Sequence, residues 1–226
     1  MRFGNLKKLA GASLVAAIVA FAATPADAAF KLSLSTDGTI NSATSVVIED
    51  NNGGDMNNTP GVILWSGQLG GFQLLVSIGQ SKPFIGGNGV SIIDSNFTVT
   101  GVGTATIALT DTGFMDIGNG GGYSDIGGTT NGTVNAWAWF DSANAEFGQG
   151  TMIGAHGPFT LGAFSDTATT AGLSNTPFSL TSIVQVTHVA GSNNTTTGDH
   201  NIRVPEPALL ALFGLGLLGI ARRRQR

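Results

Sequence analysis

The sequence has 226 residues and no cysteine, so neither disulfide bonds nor thiol chemistry are available to it. The formal net charge of −4 is unevenly distributed: residues 29–204 carry three basic and twelve acidic side chains, a net charge of −9, and the other basic residues lie at the two ends. Such an acidic central region repels nucleic acid and anionic lipid, which excludes both as its partners.

Residues 1–28 predict a cleavable secretory signal peptide. A short basic segment precedes an apolar stretch from Leu9 to Ala23. A permanent membrane anchor is the alternative, but this stretch is shorter than the roughly 20 apolar residues that span a bilayer. Ala26 and Ala28 supply the small-x-small pattern that signal peptidase recognises, so we expect cleavage after Ala28.

Residues 29–203 predict one all-β domain. Short runs of β-branched and aromatic residues alternate with clusters of Gly, Asn, Asp, Ser and Pro, which is typical of strands and turns. Nine strands are expected, at Lys31–Ser35, Ser45–Glu49, Val62–Ser66, Phe72–Ile78, Ser91–Thr100, Ala105–Thr110, Thr133–Phe140, Pro158–Phe164 and Phe178–Val189. Residues 112–132 are expected to form a long glycine-rich connection. This pattern favours a two-sheet antiparallel sandwich of the jelly-roll type.

A candidate calcium site lies between the second and third of these strands. Asp50, Asn52 and Asp55 alternate with glycines, and calcium prefers carboxylate, amide and carbonyl oxygens on a loop that can wrap around it. The alternative is an ordinary loop, since Asn, Asp and Gly also favour turns for conformational reasons. Calcium is therefore the one cofactor that the sequence suggests.

Two tryptophans are candidates for binding a glycan. Strict alternation over 133–140 puts Trp137 and Trp139 on the same face as Asn135, opposite an apolar face that is expected to enter the core. An aromatic pair beside an amide suits the stacking of a sugar ring, although most Trp residues in β-rich domains are part of the core.

Catalytic signals are weak, and we expect the protein not to be an enzyme. His156, His188 and His200 lie in unrelated contexts without a His-Glu-x-x-His pair. The segment around Ser124 begins like a nucleophile elbow, but Ile126 occupies the position of the second glycine. A secreted hydrolase is the least favoured alternative.

Residues 204–226 form a three-part tail. Val204, Pro205, Glu206 and Pro207 precede an apolar run from Ala208 to Ala221, which predicts a short transmembrane helix. A basic cluster closes the chain and, by the positive-inside rule, stays in the cytoplasm: Arg222, Arg223, Arg224 and Arg226.

This order of parts resembles the PEP-CTERM sorting tail that exosortases recognise. The resemblance implies processing at Pro205, Glu206 and Pro207, after a transient stay in the inner membrane through the C-terminal helix. It also implies a Gram-negative bacterium that makes exopolysaccharide and carries the mature protein on its surface or in its matrix. A plain C-terminal anchor is the alternative.

Together these features predict an exported, non-enzymatic protein of the envelope or extracellular matrix. Signal peptidase and an exosortase are its expected processing partners, and the exopolysaccharide of a biofilm is its expected associate. The alternative is a calcium-dependent carbohydrate-binding module. The functional part of this prediction depends on the resemblance of the tail and not on the central domain.

Overall fold

All regular structure in this computed structural model, which describes residues 28–86, 90–115, 120–174, 176–191 and 194–205, is β-strand. The ten strands are β1 Lys31–Ser35, β2 Val46–Glu49, β3 Val62–Leu69, β4 Phe72–Gln80, β5 Val90–Gly101, β6 Gly103–Phe114, β7 Gly122–Asp141, β8 Thr151–Thr170, β9 Phe178–His188 and β10 Thr195–Pro205. Within the described ranges, no helix is long and apolar enough to cross a membrane.

The ten strands form one antiparallel sheet. Its order is β2-β1-β6-β9-β7-β10-β5-β4-β3, and β8 pairs with β7 alone. Strand β7 has 20 residues and takes part in both halves of the sheet. Its residues 133–141 pair with β9, and its residues 123–130 pair with β10. We refer to the two parts as the β9 half (β2, β1, β6, β9) and the β10 half (β10, β5, β4, β3).

The change from one half to the other occurs at residues 130–133 of β7. The register of β7 against β8 shifts between Thr130 and Thr133, so the ladder is interrupted there. A β-carbon at Gly132 would lie 2.3 Å from the carbonyl oxygen of Thr187 and 2.3 Å from Cδ2 of His188. Only glycine allows the two backbones to approach this closely, which explains why the strand can turn here.

Side chains from the two halves contact each other in the interior. The hydroxyl of Ser182 in β9 lies 2.8 Å from Nδ1 of His200 in β10. The ring of Phe72 in β4 lies 6.3 Å from that of His188 in β9. Strands β5 and β10 alternate buried and more exposed residues, which is the pattern of strands with one face in a core.

The all-β prediction is confirmed, whereas two separate sheets are not. All strands belong to one sheet because the long strand β7 hydrogen bonds to both halves. The predicted signal helix and transmembrane helix lie in residues 1–27 and 206–226, outside the described residues.

Two strand predictions differ from the structure. Much of the expected connection over residues 112–132 is the first half of β7, and β10 was not predicted. The strand expected at Pro158–Phe164 is also longer, since β8 covers Thr151–Thr170. A β-carbon at Gly128 would lie 2.3 Å from the carbonyl oxygen of Thr197. Glycine in this part of β7 therefore permits close strand pairing, where sequence reasoning took glycine to indicate a loop.

Candidate glycan groove

Trp137 and Trp139 belong to the part of β7 that pairs with β9, and their side chains lie on the face opposite the core, as the alternation predicted. The opposite face of the same segment is buried, with Val134, Ala136 and Ala138 fully inaccessible to solvent. Pairing with β9 sets Trp137 opposite Ile183. Both indoles are partly buried against a small apolar cluster that is separate from the main core.

The two indoles line a groove of about 490 Å³. Its remaining lining is uncharged and comes from three strands and two loops: Gly38, Ile40, Thr106, Gln149, Met152, Ile183 and Gln185. Ligand sites usually combine aromatic and apolar walls with a few polar groups that set orientation, and this groove has that composition.

The loop over residues 36–45 forms one wall of the groove and is held by Asp37. Its carboxylate accepts hydrogen bonds from the backbone N–H of Thr39 at 3.0 Å and from the hydroxyl of Thr44 at 2.6 Å. The Thr39 hydroxyl donates a third hydrogen bond to the same carboxylate. This bond first, and then the other two, hold the pKa of Asp37 well below its usual value. Ser33 in β1 accepts a further bond from the N–H of Asn41, which ties this loop to the sheet.

The loop over residues 142–150 forms the other wall. Asp141, at the end of β7, accepts hydrogen bonds from the N–H groups of Ala143 and Ala145. The N–H of Phe147 donates to the hydroxyl of Thr110 at 3.1 Å, and the Phe147 ring packs in the small apolar cluster. Both walls are therefore fixed to the sheet by bonds that do not depend on a ligand.

Two polar atoms beside the groove have no hydrogen-bond partner. Thr106 is 3% exposed and its hydroxyl is unpaired, and the indole N–H of Trp139 is likewise buried without a partner. Buried polar groups are almost always satisfied by protein, water or ligand. Both atoms have almost no solvent access in this conformation, so a polyhydroxylated molecule in the groove, or a water beside it, would reach them only after a small movement of the neighbouring side chains.

The predicted calcium residues lie in one loop between β2 and β3. Asp55 accepts three backbone hydrogen bonds, from Asn51, Asn57 and Leu64. One oxygen of Asp50 accepts the N–H of Gly61 at 2.8 Å, whereas the other is buried without a partner.

The carboxylates of Asp50 and Asp55 lie near each other in this loop, and the pKa of Asp50 reflects its burial and this proximity. Burial, with a smaller contribution from Asp55, raises the pKa of Asp50. The amide oxygen of Asn52 accepts the N–H of Gly53. Among the described residues, no group of three or more His, Asp or Glu side chains is arranged to hold a metal ion. Calcium binding at Asp50, Asn52 and Asp55 stays a prediction.

A buried polar cluster was missed from the sequence. The hydroxyl of Ser124 lies 2.8 Å from Nε2 of His156, whose Nδ1 lies 2.9 Å from Oδ2 of Asp166. This hydrogen bond lowers the pKa of Asp166. The His156 ring meets the edge of the His200 ring at 5.6 Å, and complete burial lowers the pKa of His200 to about 3. No local motif connects these residues. The β7–β8 register sets Ser124 opposite Ala168 and His156 opposite Ala136, so the two side chains meet through packing across the folded sheet and not through strand pairing.

The geometry of this cluster resembles that of a serine hydrolase, but its nucleophile is enclosed. Ser124 is 0% exposed and His156 is 2% exposed. A β-carbon at Gly154 would lie 2.4 Å from the Ser124 hydroxyl, so the backbone of β8 lies directly against it. A substrate has no access to the hydroxyl in this conformation.

The processing residues within the described ranges lie where the chain enters and leaves the sheet. Ala28 is exposed, and the backbone N–H of Ala29 donates to the Thr112 hydroxyl at 2.9 Å. Val204 and Pro205 belong to β10, and Val204 is fully buried. The remaining predicted residues lie outside the described residues: Ala26, Glu206, Pro207, Arg222, Arg223 and Arg224.

Comparison with solved structures gives weak similarities. The enzymatically active domain of tailspike protein 4 from bacteriophage CBA120 is 12% identical with a TM-score of 0.33, over 60% of this chain and 19% of the tailspike chain. TmCBM61 in complex with β-1,4-galactotriose is 12% identical with a TM-score of 0.32, over 60% of this chain and 88% of that one. The infectious bursal disease virus Gx strain structure is 11% identical with a TM-score of 0.29, over 79% and 51%. At these scores none of them assigns a function.

The C-terminal segment gives a specific match. No curated protein matches the chain, but the PEP-CTERM protein-sorting motif matches residues 203–225. That range covers the Pro-Glu-Pro segment, the apolar run and most of the arginine cluster, and it agrees within one residue with the tail predicted from the sequence. The chain is therefore an exported protein that carries a PEP-CTERM sorting motif for an exosortase at its C-terminus.

Proposed function

We propose that this protein is a non-enzymatic component of the cell envelope or the extracellular matrix, which associates with exopolysaccharide through the groove at Trp137 and Trp139. The observation that carries the proposal is the groove itself, with two indoles and two unpaired polar atoms on an exported domain. Indoles stack on the apolar faces of sugar rings, while hydroxyl and N–H groups bind the sugar hydroxyls.

The charge of the domain narrows the class of glycan. Residues 29–204 carry a net charge of −9, and the described lining of the groove has no charged side chain. A polyanionic polysaccharide would be repelled by such a domain. We therefore infer a neutral glycan segment as the ligand, in the exopolysaccharide or biofilm matrix of a Gram-negative bacterium.

The fold and the processing steps belong to the same proposal. A jelly-roll-like sandwich, made by folding the one sheet at β7, would present the groove on its outer surface. Signal peptidase would cut after Ala28, and the tail would hold the chain in the inner membrane until the exosortase acts near Pro205. The intact mass of the protein from culture medium and from membranes tests these steps. A released species that lacks both ends is expected, and a membrane-bound species that retains the arginine cluster contradicts release.

Tryptophan fluorescence provides the test of glycan binding. Neutral polysaccharide from the producing organism should quench or shift the emission of the wild type and of Trp65→Phe, because Trp65 lies on β3, outside the groove. The response should be lost in Trp137→Phe with Trp139→Phe. A response that survives in this double variant would contradict the groove as the site.

Ser124, the nucleophile that the hydrolase alternative would use, is enclosed in this conformation. The calcium-dependent module is favoured by one observation, the unpaired buried oxygen of Asp50. If calcium binds there, it should raise the melting temperature of the wild type and not that of Asp50→Asn. Equal melting temperatures with calcium and with a chelator would contradict this alternative.

A further inference from the structure

Lys82 and Asp111 form a buried contact that the proposed function does not use. Lys82 follows β4, in the β10 half, and Asp111 lies near the end of β6, in the β9 half. Nζ of Lys82 is 2.8 Å from Oδ2 of Asp111. The Asp111 side chain is fully buried, and that of Lys82 is 28% exposed.

An aromatic ring packs against the Lys82–Asp111 pair, and hydrogen bonds from neighbouring groups hold the two side chains in position. The ring centroid of Phe114 lies 3.9 Å from the Lys82 Nζ, and Phe114 stacks on Phe178. The Ser81 hydroxyl donates to the same Asp111 oxygen at 2.6 Å, and the Lys82 Nζ also donates to the backbone carbonyl of Thr112. The amine is therefore held against the carboxyl group.

Burial disfavours the charged forms of both groups. It raises the pKa of Asp111 although Lys82 is adjacent, and it lowers the pKa of Lys82 although Asp111 is adjacent. Desolvating an ion pair is costly, and this cost is removed if the pair becomes neutral. A neutral amine in contact with a neutral carboxylic acid can condense to an amide.

We propose that Lys82 and Asp111 become joined by an intramolecular amide bond between Nζ and Cγ. The ammonium first transfers a proton to the carboxylate, which leaves an amine and a carboxylic acid. The Nζ lone pair then attacks Cγ, the new C–N bond forms, and a C–O bond breaks. The departing hydroxyl takes a second proton from Nζ and leaves as one water molecule, so no oxidant, reductant or activating group is needed.

Ser81 has a positioning role in this step. Its hydroxyl donates to Oδ2 of Asp111, the oxygen that lies nearest the ammonium and so takes its proton and leaves; this bond holds the carboxyl group in place and assists the departure of the hydroxyl. We expect Ser81→Ala to slow the appearance of the condensed species in a time course of newly made protein, without changing its final mass.

The bond would have a mechanical consequence for this chain. It would join the β10 half to the β9 half covalently, in an exported domain that has no cysteine. Exported domains commonly obtain such a cross-link from disulfides, which stabilise by restricting the unfolded chain.

The test is the intact mass of the mature protein under denaturing conditions, followed by peptide mapping. The wild type should be lighter than its sequence by one water molecule, with residues 82 and 111 in one cross-linked peptide, and Lys82→Arg should have its full sequence mass. Lys31 and Glu146 provide the matched pair: their contact is also 2.8 Å, but their side chains are 20% and 39% exposed, so they should not condense. A wild-type mass equal to the sequence would overturn the proposal.

A second variant avoids any ambiguity from misfolding of Lys82→Arg. In Asp111→Asn the same attack expels ammonia instead of water, and the product is chemically identical to that of the wild type. The two proteins should therefore converge on one mass. Persistence of the mass difference between Asp and Asn would overturn the proposal independently.

Discussion

The interior cluster around His156 and the surface groove around Trp137 both bring polar and aromatic side chains together, but in opposite ways. In the interior, Ser124 and Asp166 occupy the two nitrogens of His156, and the backbone of β8 closes over the serine. In the groove, the Thr106 hydroxyl and the Trp139 N–H have no partner beside an open volume. The Ser124–His156–Asp166 hydrogen bonds favour a role in stability, although Nε2 of the adjacent His200 is buried without a partner. Unpaired polar atoms beside an open groove favour a role in binding.

The largest effect is expected in the closed network. His156→Ala removes the group that pairs with both Ser124 and Asp166 and leaves a cavity, so it should lower the free energy of unfolding by about 3 kcal/mol. Urea denaturation followed by fluorescence measures this. Asp166→Asn is the control, because the Asp166 side chain is 46% exposed and an amide still bonds to the ring. An unchanged midpoint for His156→Ala would show that the network does not stabilise the fold.

Trp137→Ala should separate binding from stability. The side chain is only partly buried, so its loss should cost about 1–2 kcal/mol of unfolding free energy, less than a fully buried aromatic would. Glycan affinity should fall at least tenfold, or about 1.4 kcal/mol. Titration calorimetry at a temperature where both proteins are folded provides the comparison. Undiminished affinity would remove the main support for the groove as a glycan site.

Two buried threonines four positions apart on β6 sharpen the contrast. The Thr106 hydroxyl is unpaired, whereas that of Thr110 bonds to the Leu180 carbonyl and accepts the N–H of Phe147. Thr106→Val should leave stability unchanged or raise it by up to about 1 kcal/mol, and Thr110→Val should lower it by about 1–2 kcal/mol. Thermal melts of the two variants measure the difference. The reverse order would mean that the Thr106 hydroxyl is satisfied in solution.

The smallest effect concerns Asp199 on the outer face of the β10 half. Burial, followed by the charges of Asp94 and Asp125, raises the pKa of Asp199 to about 6 from its ordinary 3.8. A carboxyl whose pKa is raised by folding stabilises the protein when protonated. Its contribution is therefore complete below about pH 4 and is lost as the pH rises through 6.

Solvent screening limits the size of this effect. Asp199 is only partly buried, so we expect at most about 1 kcal/mol between pH 4 and pH 7 in the wild type relative to Asp199→Asn. Denaturant midpoints of the two proteins across this range measure it. Parallel profiles would show that the carboxyl titrates alike in the folded and unfolded chain.

The sequence predicted those features that depend on local alternation. The period of two over 133–140 correctly assigned Val134 to the core and Trp137 to the opposite face. It could not predict β10, in which Gly198 and His200 occupy buried positions usually filled by apolar residues. Whether glycine and histidine fit at these positions depends on the neighbouring strands β5 and β7, and the sequence does not show that these strands flank β10.

The contacts between distant residues were not predictable. Ser124 and His156 are 32 positions apart, and Lys82 and Asp111 are 29 apart. Neither pair is opposite in a strand ladder, so both contacts depend on how the folded sheet packs on itself, and a shift of one residue in register would move each side chain to the other face. In contrast, the sorting tail is a continuous motif, which is why the sequence alone identified it.

The two places where the chain enters and leaves the sheet lie at the same end of the fold. The N–H of Ala29 is bonded to Thr112 at the end of β6, and Pro205 pairs with Val90 at the start of β5. The Lys82–Asp111 contact shows that these strand ends are neighbours. A cut after Ala28 and a cut beyond Pro205 would each leave all ten strands whole. Maturation and release would thus require no rearrangement of the folded domain, which could reach its final structure while both termini are still attached.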